Sequence, residues 1–241
     1  MGKENESSAH MKKLILFDID GTLLWSDGAG RSAIRQALIS EMGTAGPIDD
    51  FAFAGKTDPQ IVRELLTAAD HPQAGNDSDA ERVCRRYAEL LEVELQVPGR
   101  GLRVFHGVHV LLKELRARSD AIVGLLTGNI EVGARLKLAA VDIDPDQFRV
   151  GAFGSDAHDR ADLPAIAARR AEPLFGHVPY GEEVVIIGDT PSDVTCGCAI
   201  GARSIAVATG PFSVEELHAI GPYTVFPDLG DTVAVIDAIF A

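Results

Sequence analysis

The chain has no apolar run long enough to cross a bilayer, and 241 residues carry only three cysteines and one tryptophan. The first lack leaves no candidate for a membrane-spanning helix. The second rules out a disulfide framework. Cys196 and Cys198 form a C-x-C pair, but no further Cys or His pair lies near enough in sequence to complete a zinc site. Positive charge is also scarce: Lys and Arg number 22 against 36 Asp and Glu, for a net charge of −14. A surface of that sign repels nucleic-acid phosphates and anionic membranes, so neither is expected as a partner. It repels a phosphorylated metabolite too, so a phosphate site would have to bring its own cation or metal. No lysine follows Lys137, and no G-x-x-x-x-G-K-[ST] occurs, so a P-loop kinase is not supported. Met1–His10 is polar and lacks the apolar core of a signal peptide; it reads as a disordered tail or a remnant ahead of a natural start at Met11. A reduced, soluble, cytoplasmic protein is expected, as a monomer or small homo-oligomer.

With 46% hydrophobic residues, the chain can form one large α/β domain or a core with a smaller insert. Lys13–Phe17 reads as a buried strand. Helical spacing follows over Gly28–Met42, Asp58–Ala69 and Ser78–Val97, and no strand pattern interrupts it from about Trp25 to Gly101. Beyond that point strands alternate with helices: Ala121–Leu126, Val150–Phe153, Val184–Ile187, Ser204–Val207 and Thr224–Phe226 are the strands. Pro191–Ile200 reads as one of the helices. Such alternation predicts βαβ units around a doubly wound, Rossmann-like parallel sheet. The predicted organisation is a core of residues 11–24 plus 102–241, with an all-helical cap of residues 25–101 inserted after the first strand.

In parallel sheets, ligands bind at the carboxyl ends of strands. Three predicted strands end in chemically useful residues: Asp18-Ile19-Asp20-Gly21-Thr22, then Thr127-Gly128-Asn129, then Gly188-Asp189-Thr190-Pro191-Ser192-Asp193. Two carboxylates at the end of a buried strand are costly unless a cation or hydrogen bonds compensate them. Mg²⁺ is the simplest such cation for oxygen ligands, and an Asp held there can attack phosphorus. Plainer readings exist for each piece. Asp20-Gly21 is a good turn, Thr127-Gly128-Asn129 a loop before a helix, and Thr190-Pro191-Ser192-Asp193 a well-formed helix start.

Taken in order, D-x-D-G-T, hydrophobic-T-G-N and G-D-x-x-x-D resemble the motifs of the haloacid dehalogenase (HAD) superfamily of phosphohydrolases. The likeness extends from about Lys13 to the C-terminus. It is closest to the subgroup with a helical C1-type cap, which includes phosphoglycolate phosphatase-like enzymes. The resemblance implies a Mg²⁺-dependent phosphatase acting on a small phosphorylated metabolite through an aspartyl-phosphate. Asp18 would be the nucleophile. Asp20 would be the acid and then the base, and its carbonyl would also meet the metal. Asp189 would be a metal ligand, and Asp193 a ligand or an orienting residue. Thr127, Gly128 and Asn129 would hold phosphoryl oxygens. A phosphosugar mutase of the same superfamily and a catalytically silent binding protein are the alternatives; the presence of Asp20 argues against a dehalogenase.

The family also requires a cation between the second and last motifs, often a Lys before a Pro. Arg160, in the loop Gly154–Arg160, is the expected substitute. Lys137 is the alternative, although its place in a helix suggests a solvated face. Lys56, in the loop Phe53–Asp58, is expected to reach an anionic part of the substrate or to be a plain surface lysine. Trp25 would line the cap entrance or pack the hinge, and His158 would fringe the site.

Overall fold

A computed structural model of the chain describes residues 11–241; the tail expected at residues 1–10 lies outside them. Strand β1 (Lys13–Phe17) is buried along its whole length, as a strand covered on both faces must be. The chain then forms β2 (Leu24–Trp25) and three helices, α1 (Ala29–Met42), α2 (Asp58–Ala68) and α3 (Asp77–Leu95), before β3 (Arg103–Val104). After α4 (Val108–Arg116), strands and helices alternate: β4 (Ala121–Thr127), α5 (Glu131–Ala139), β5 (Val150–Phe153), α6 (Leu163–Phe175), β6 (Val184–Gly188), α7 (Pro191–Cys196), β7 (Arg203–Val207), α8 (Val214–Ile220), β8 (Thr224–Phe226) and α9 (Thr232–Phe240).

Among the described residues the core is a six-stranded sheet in the order β5-β4-β1-β6-β7-β8, every pair parallel. β1 lies at the centre, where the strand order turns back, the position at which α/β sheets open a crevice for ligands. Alternate residues of the strands feed opposite layers. Ile15, Phe17, Val123, Leu125, Val185 and Ile187 pack in one cluster with Leu111 of α4 and Val235 and Ile239 of α9. Leu14, Leu16, Ile122, Val184 and Ile186 pack in another with Leu163, Ala167 and Ala171 of α6.

The helical insert has its own apolar centre. Ile34 and Leu38 of α1, Ile61, Val62 and Leu65 of α2, and Val83, Tyr87 and Leu91 of α3 meet there, and Ile130 joins them from the core. Thr57 starts α2: its hydroxyl accepts from Gln60 N at 3.2 Å, with a proline in the first turn.

Two features depart from the sequence reading. Trp25 lies in an antiparallel ribbon, β2 with β3, that joins insert to core; two-residue strands carry no detectable period. The helix expected over Pro191–Ile200 ends at Cys196 and tightens into a 3₁₀ turn over Gly197–Ile200, since glycine at its junction weakens the α-helix.

Candidate active site

The register puts Phe17 beside Leu125 on one side and Ile187 on the other, so the residues following β1, β4 and β6 emerge at one sheet edge. Asp18 continues the ladder, its N–H donating to Ile187 O at 2.9 Å. There Asp18, Asp189 and Asp193, all buried, bring one carboxylate oxygen each to within 4.8 Å of one another. Two glycines permit this. A Cβ at Gly21 would fall 2.3 Å from Asp189 Oδ2, and one at Gly210 only 1.7 Å from it; Gly21 also has φ +86°. Thr22 Oγ1 donates to Asp189 Oδ1 at 3.0 Å.

Arg160, buried, reaches the same acids. Its Nη2 lies 3.1 Å from Asp18 Oδ1 and pairs with Asp193 Oδ1. Burial nonetheless pushes the Asp18 carboxyl up to about 6, against the pull of Arg160. Burial, with Asp193 and Asp18 beside it, pushes Asp189 well above the carboxylate range. One guanidinium cannot balance three buried acids. A cluster of hard oxygen donors left negative in this way fits a divalent ion such as Mg²⁺. Asp193 has a second engagement: its Oδ2 accepts from Thr190 N at 3.0 Å and from Thr190 Oγ1 at 2.6 Å, closing the cap of α7.

The Asp20 carboxylate stands outside this trio. Oδ1 accepts from Ser26 Oγ at 3.0 Å; Oδ2 accepts from Asn129 Nδ2 at 2.8 Å and Lys137 Nζ at 2.6 Å. Burial raises the proton affinity of Asp20, but Lys137, Asn129 and Ser26 together hold it below the usual carboxylate range. Lys137 Nζ also donates to Asn129 Oδ1 at 2.6 Å. The solvated face expected for Lys137 is therefore corrected: its side chain is only 6% exposed. The helix α5 that carries it packs against the insert as well as the sheet, with Leu91 and Tyr87 of α3 next to Gly133. Arg160 and Lys137 thus divide the acids between them, one beside Asp18 and the other beside Asp20.

Thr127 is buried and its hydroxyl accepts from Asn129 Nδ2 at 2.8 Å. Gly128 sits at the seam with the insert. Its carbonyl accepts from Asp58 N at 2.7 Å, and a Cβ on it would fall 2.0 Å from Lys56 O. Lys56 lines the cavity but pairs with Glu64 at 2.7 Å, so it is not a free cation aimed at a ligand. His158 serves the seam and not the acids: its carbonyl accepts from Thr57 Oγ1 at 2.9 Å, and its ring meets Arg63 Nη2 at 2.9 Å. Trp25 pairs within the ribbon that joins insert to core and also lines the cavity.

The space enclosed between insert and sheet edge is about 720 Å³. Sequence reasoning missed several of its residues. Ser26, Asp58 and Tyr87 drew no functional assignment from the sequence. Thr209–Phe212, which also line the cavity, follow β7, and the strand-end rule applied to every strand would have pointed to them.

Residues 160–232 match the sequence profile of the HAD-hydrolase-like family. A phosphoglycolate phosphatase of Rhodospirillum rubrum is 28% identical over 228 residues, covering 92% of this chain and 90% of that protein. One from Photorhabdus laumondii is 25% identical, covering 93% and 92%. Over residues 160–232 the chain is similar to the HAD-like hydrolases, and along most of its length to these phosphoglycolate phosphatases. The crystal structure of a hydrolase from Pseudomonas syringae matches this fold with a TM-score of 0.73 at 22% identity, covering 96% of this chain and 100% of that one. In this chain the three strand-end segments read from the sequence meet at a single edge, and the insert lies over them.

Proposed function

We propose that this HAD-like phosphatase hydrolyses a small phosphomonoester through an aspartyl-phosphate on Asp18, with Mg²⁺ as cofactor. The observation that carries the reading is the convergence of Asp18, Asp189 and Asp193 within 4.8 Å beside Arg160, beneath the helical insert. A Mg²⁺ ion held by Asp18, Asp189, the Asp20 carbonyl and Asp193, either directly or with Asp193 orienting, would offset charge on the phosphoryl oxygens. Arg160 would hold Asp18 in place and face the same oxygens. Thr127 and the Gly128 N–H would bind the remaining phosphoryl oxygens, whereas Asn129, whose amide donors go to Asp20 and Thr127, would orient those two side chains.

In the first step an Asp18 oxygen bonds to phosphorus as the bond to the leaving alcohol breaks, and Asp20 supplies that oxygen with a proton. In the second, Asp20 takes a proton from water. The water oxygen bonds to phosphorus, and Asp18 leaves as a carboxylate. The hydrogen bonds from Lys137, Asn129 and Ser26 favour the ionised Asp20 and so suit the second step. The proton for the first step would enter with the substrate or from the Lys137 ammonium. Closure over the edge would keep bulk water from the acyl phosphate.

The test is release of inorganic phosphate or p-nitrophenol from p-nitrophenyl phosphate. Turnover with Mg²⁺ and its loss in EDTA are expected; turnover undiminished by EDTA would contradict the metal assignment, and no turnover with Mg²⁺ would contradict the phosphatase reading.

A further inference from the structure

Most polar groups on the cap side of the cavity are already engaged. Lys56 is paired with Glu64. Arg31 donates to the Ile48 and Phe51 carbonyls and stacks over Phe53 at 4.1 Å. Tyr87 is the exception. It projects from α3 into the cavity wall with 1% exposure, and its hydroxyl has no hydrogen-bond partner among the described residues. Native proteins seldom leave a buried hydroxyl unpaired, because it has given up water for nothing.

The space beside that hydroxyl is specific. A Cβ built on Gly30 would lie 3.6 Å from Tyr87 Oη and 3.4 Å from Lys137 Nζ. The missing side chain of Gly30 therefore leaves a niche in contact with both a phenol and an ammonium. Lys137 spends hydrogen bonds on Asp20 and Asn129, and an ammonium has three donors. The niche opens into the same cavity as Asp18.

We propose that Tyr87 is a specificity-determining residue, whose hydroxyl, together with Lys137 across the Gly30 niche, binds a hydroxyl group on the alcohol part of the substrate, so that the substrates are phosphorylated polyols or sugars. This rests on the phosphatase reading and deepens it. Two observations favour a neutral hydroxyl over a carboxylate. The first is that Asp58 and Asp20 stand near Tyr87 and, together with its burial, keep the phenol protonated; a second anion there would face their field. The second is size: about 720 Å³, walled in part by Trp25, Ile34, Phe53, Ile61 and Phe212, lies in the range that takes ligands much larger than a two-carbon acid phosphate.

The experiment compares kcat/KM for glycerol 3-phosphate, a pentose 5-phosphate and a hexose 6-phosphate with that for phenyl phosphate, which has no such hydroxyl, and with that for phosphoglycolate. Wild type, Tyr87→Phe and Gly30→Ala are assayed with Mg²⁺. In wild type, at least one polyol phosphate is expected to exceed phosphoglycolate. In Tyr87→Phe, the ratio of the best polyol phosphate to phenyl phosphate is expected to fall about ten-fold or more, chiefly through KM. Gly30→Ala should lower the same ratio while Tm holds or rises, since alanine suits a helix better than glycine. This second variant carries the test if Tyr87→Phe fails to fold. An unchanged ratio in the folded variants, or a wild-type preference for phosphoglycolate over every polyol phosphate, would overturn the proposal and leave the phosphatase reading standing. Wild type inert toward every ester, phenyl phosphate included, would overturn both.

Discussion

At the residue scale, the site is two charge-matched pairs: Asp18 with Arg160 and Asp20 with Lys137. Lys137→Met removes the cation that shares hydrogen bonds with both Asp20 and Asn129, leaving their oxygens short of a donor. The account predicts a loss in kcat of about a hundred-fold or more, with a stability cost of about 1–3 kcal/mol, because Asp20 keeps some solvent contact. Steady-state kinetics and urea melts read the two effects. The acids were legible in the sequence because carboxylates at strand ends demand a chemical reason. Lys137 was not: the cap packs over α5, with Gly30 of α1 beside the Lys137 ammonium and α3 beside Gly133, and the spacing within α5 holds no information about helices so far back in the chain. Tyr87 was hidden for a related cause. An aromatic at a core-like position looks the same in sequence whether its hydroxyl ends in packing or in a cavity.

At the element scale, the cap docks on the core through backbone as much as through side chains. Asp58 N donates to Gly128 O at 2.7 Å, and Asp58 Oδ2 accepts from Ile130 N at 2.9 Å. Burial pushes the Asp58 carboxyl up to about 6 even though Lys137 and the Ile130 N–H pull it down. A folded-state value raised above the ordinary one means that the stability is fully present below about pH 4 and is lost as pH rises through about 6. Asp58→Asn keeps an acceptor for Ile130 without that ionisation. Relative to the variant, wild type should therefore lose about 1–3 kcal/mol between pH 4 and pH 7. Urea midpoints for both proteins across that range check it, and a constant difference would contradict it. Most helices and core strands were readable from periodicity, because each buries one face against a single layer. The β2–β3 ribbon was not, since two residues per strand give no alternation to detect, and the seam contacts were not, since they use main-chain groups that every residue carries.

At the scale of the whole molecule, a chain with a net charge of −14 has to draw an anionic ester to one edge of its sheet. The fold gathers two buried cations and a trio of acids close enough to share one metal ion at the centre of the sheet, beneath a cap that meets the edge at Gly128. The claim on which the rest depends is that Asp18 takes the phosphoryl group. Rapid acid quench of single-turnover reactions with a ³²P-labelled phosphomonoester and Mg²⁺ tests it most directly. The account predicts a transient, hydroxylamine-labile label on the peptide that contains Asp18, absent from Asp18→Asn. Label-free protein throughout an observed turnover, or the same label in Asp18→Asn, would contradict it.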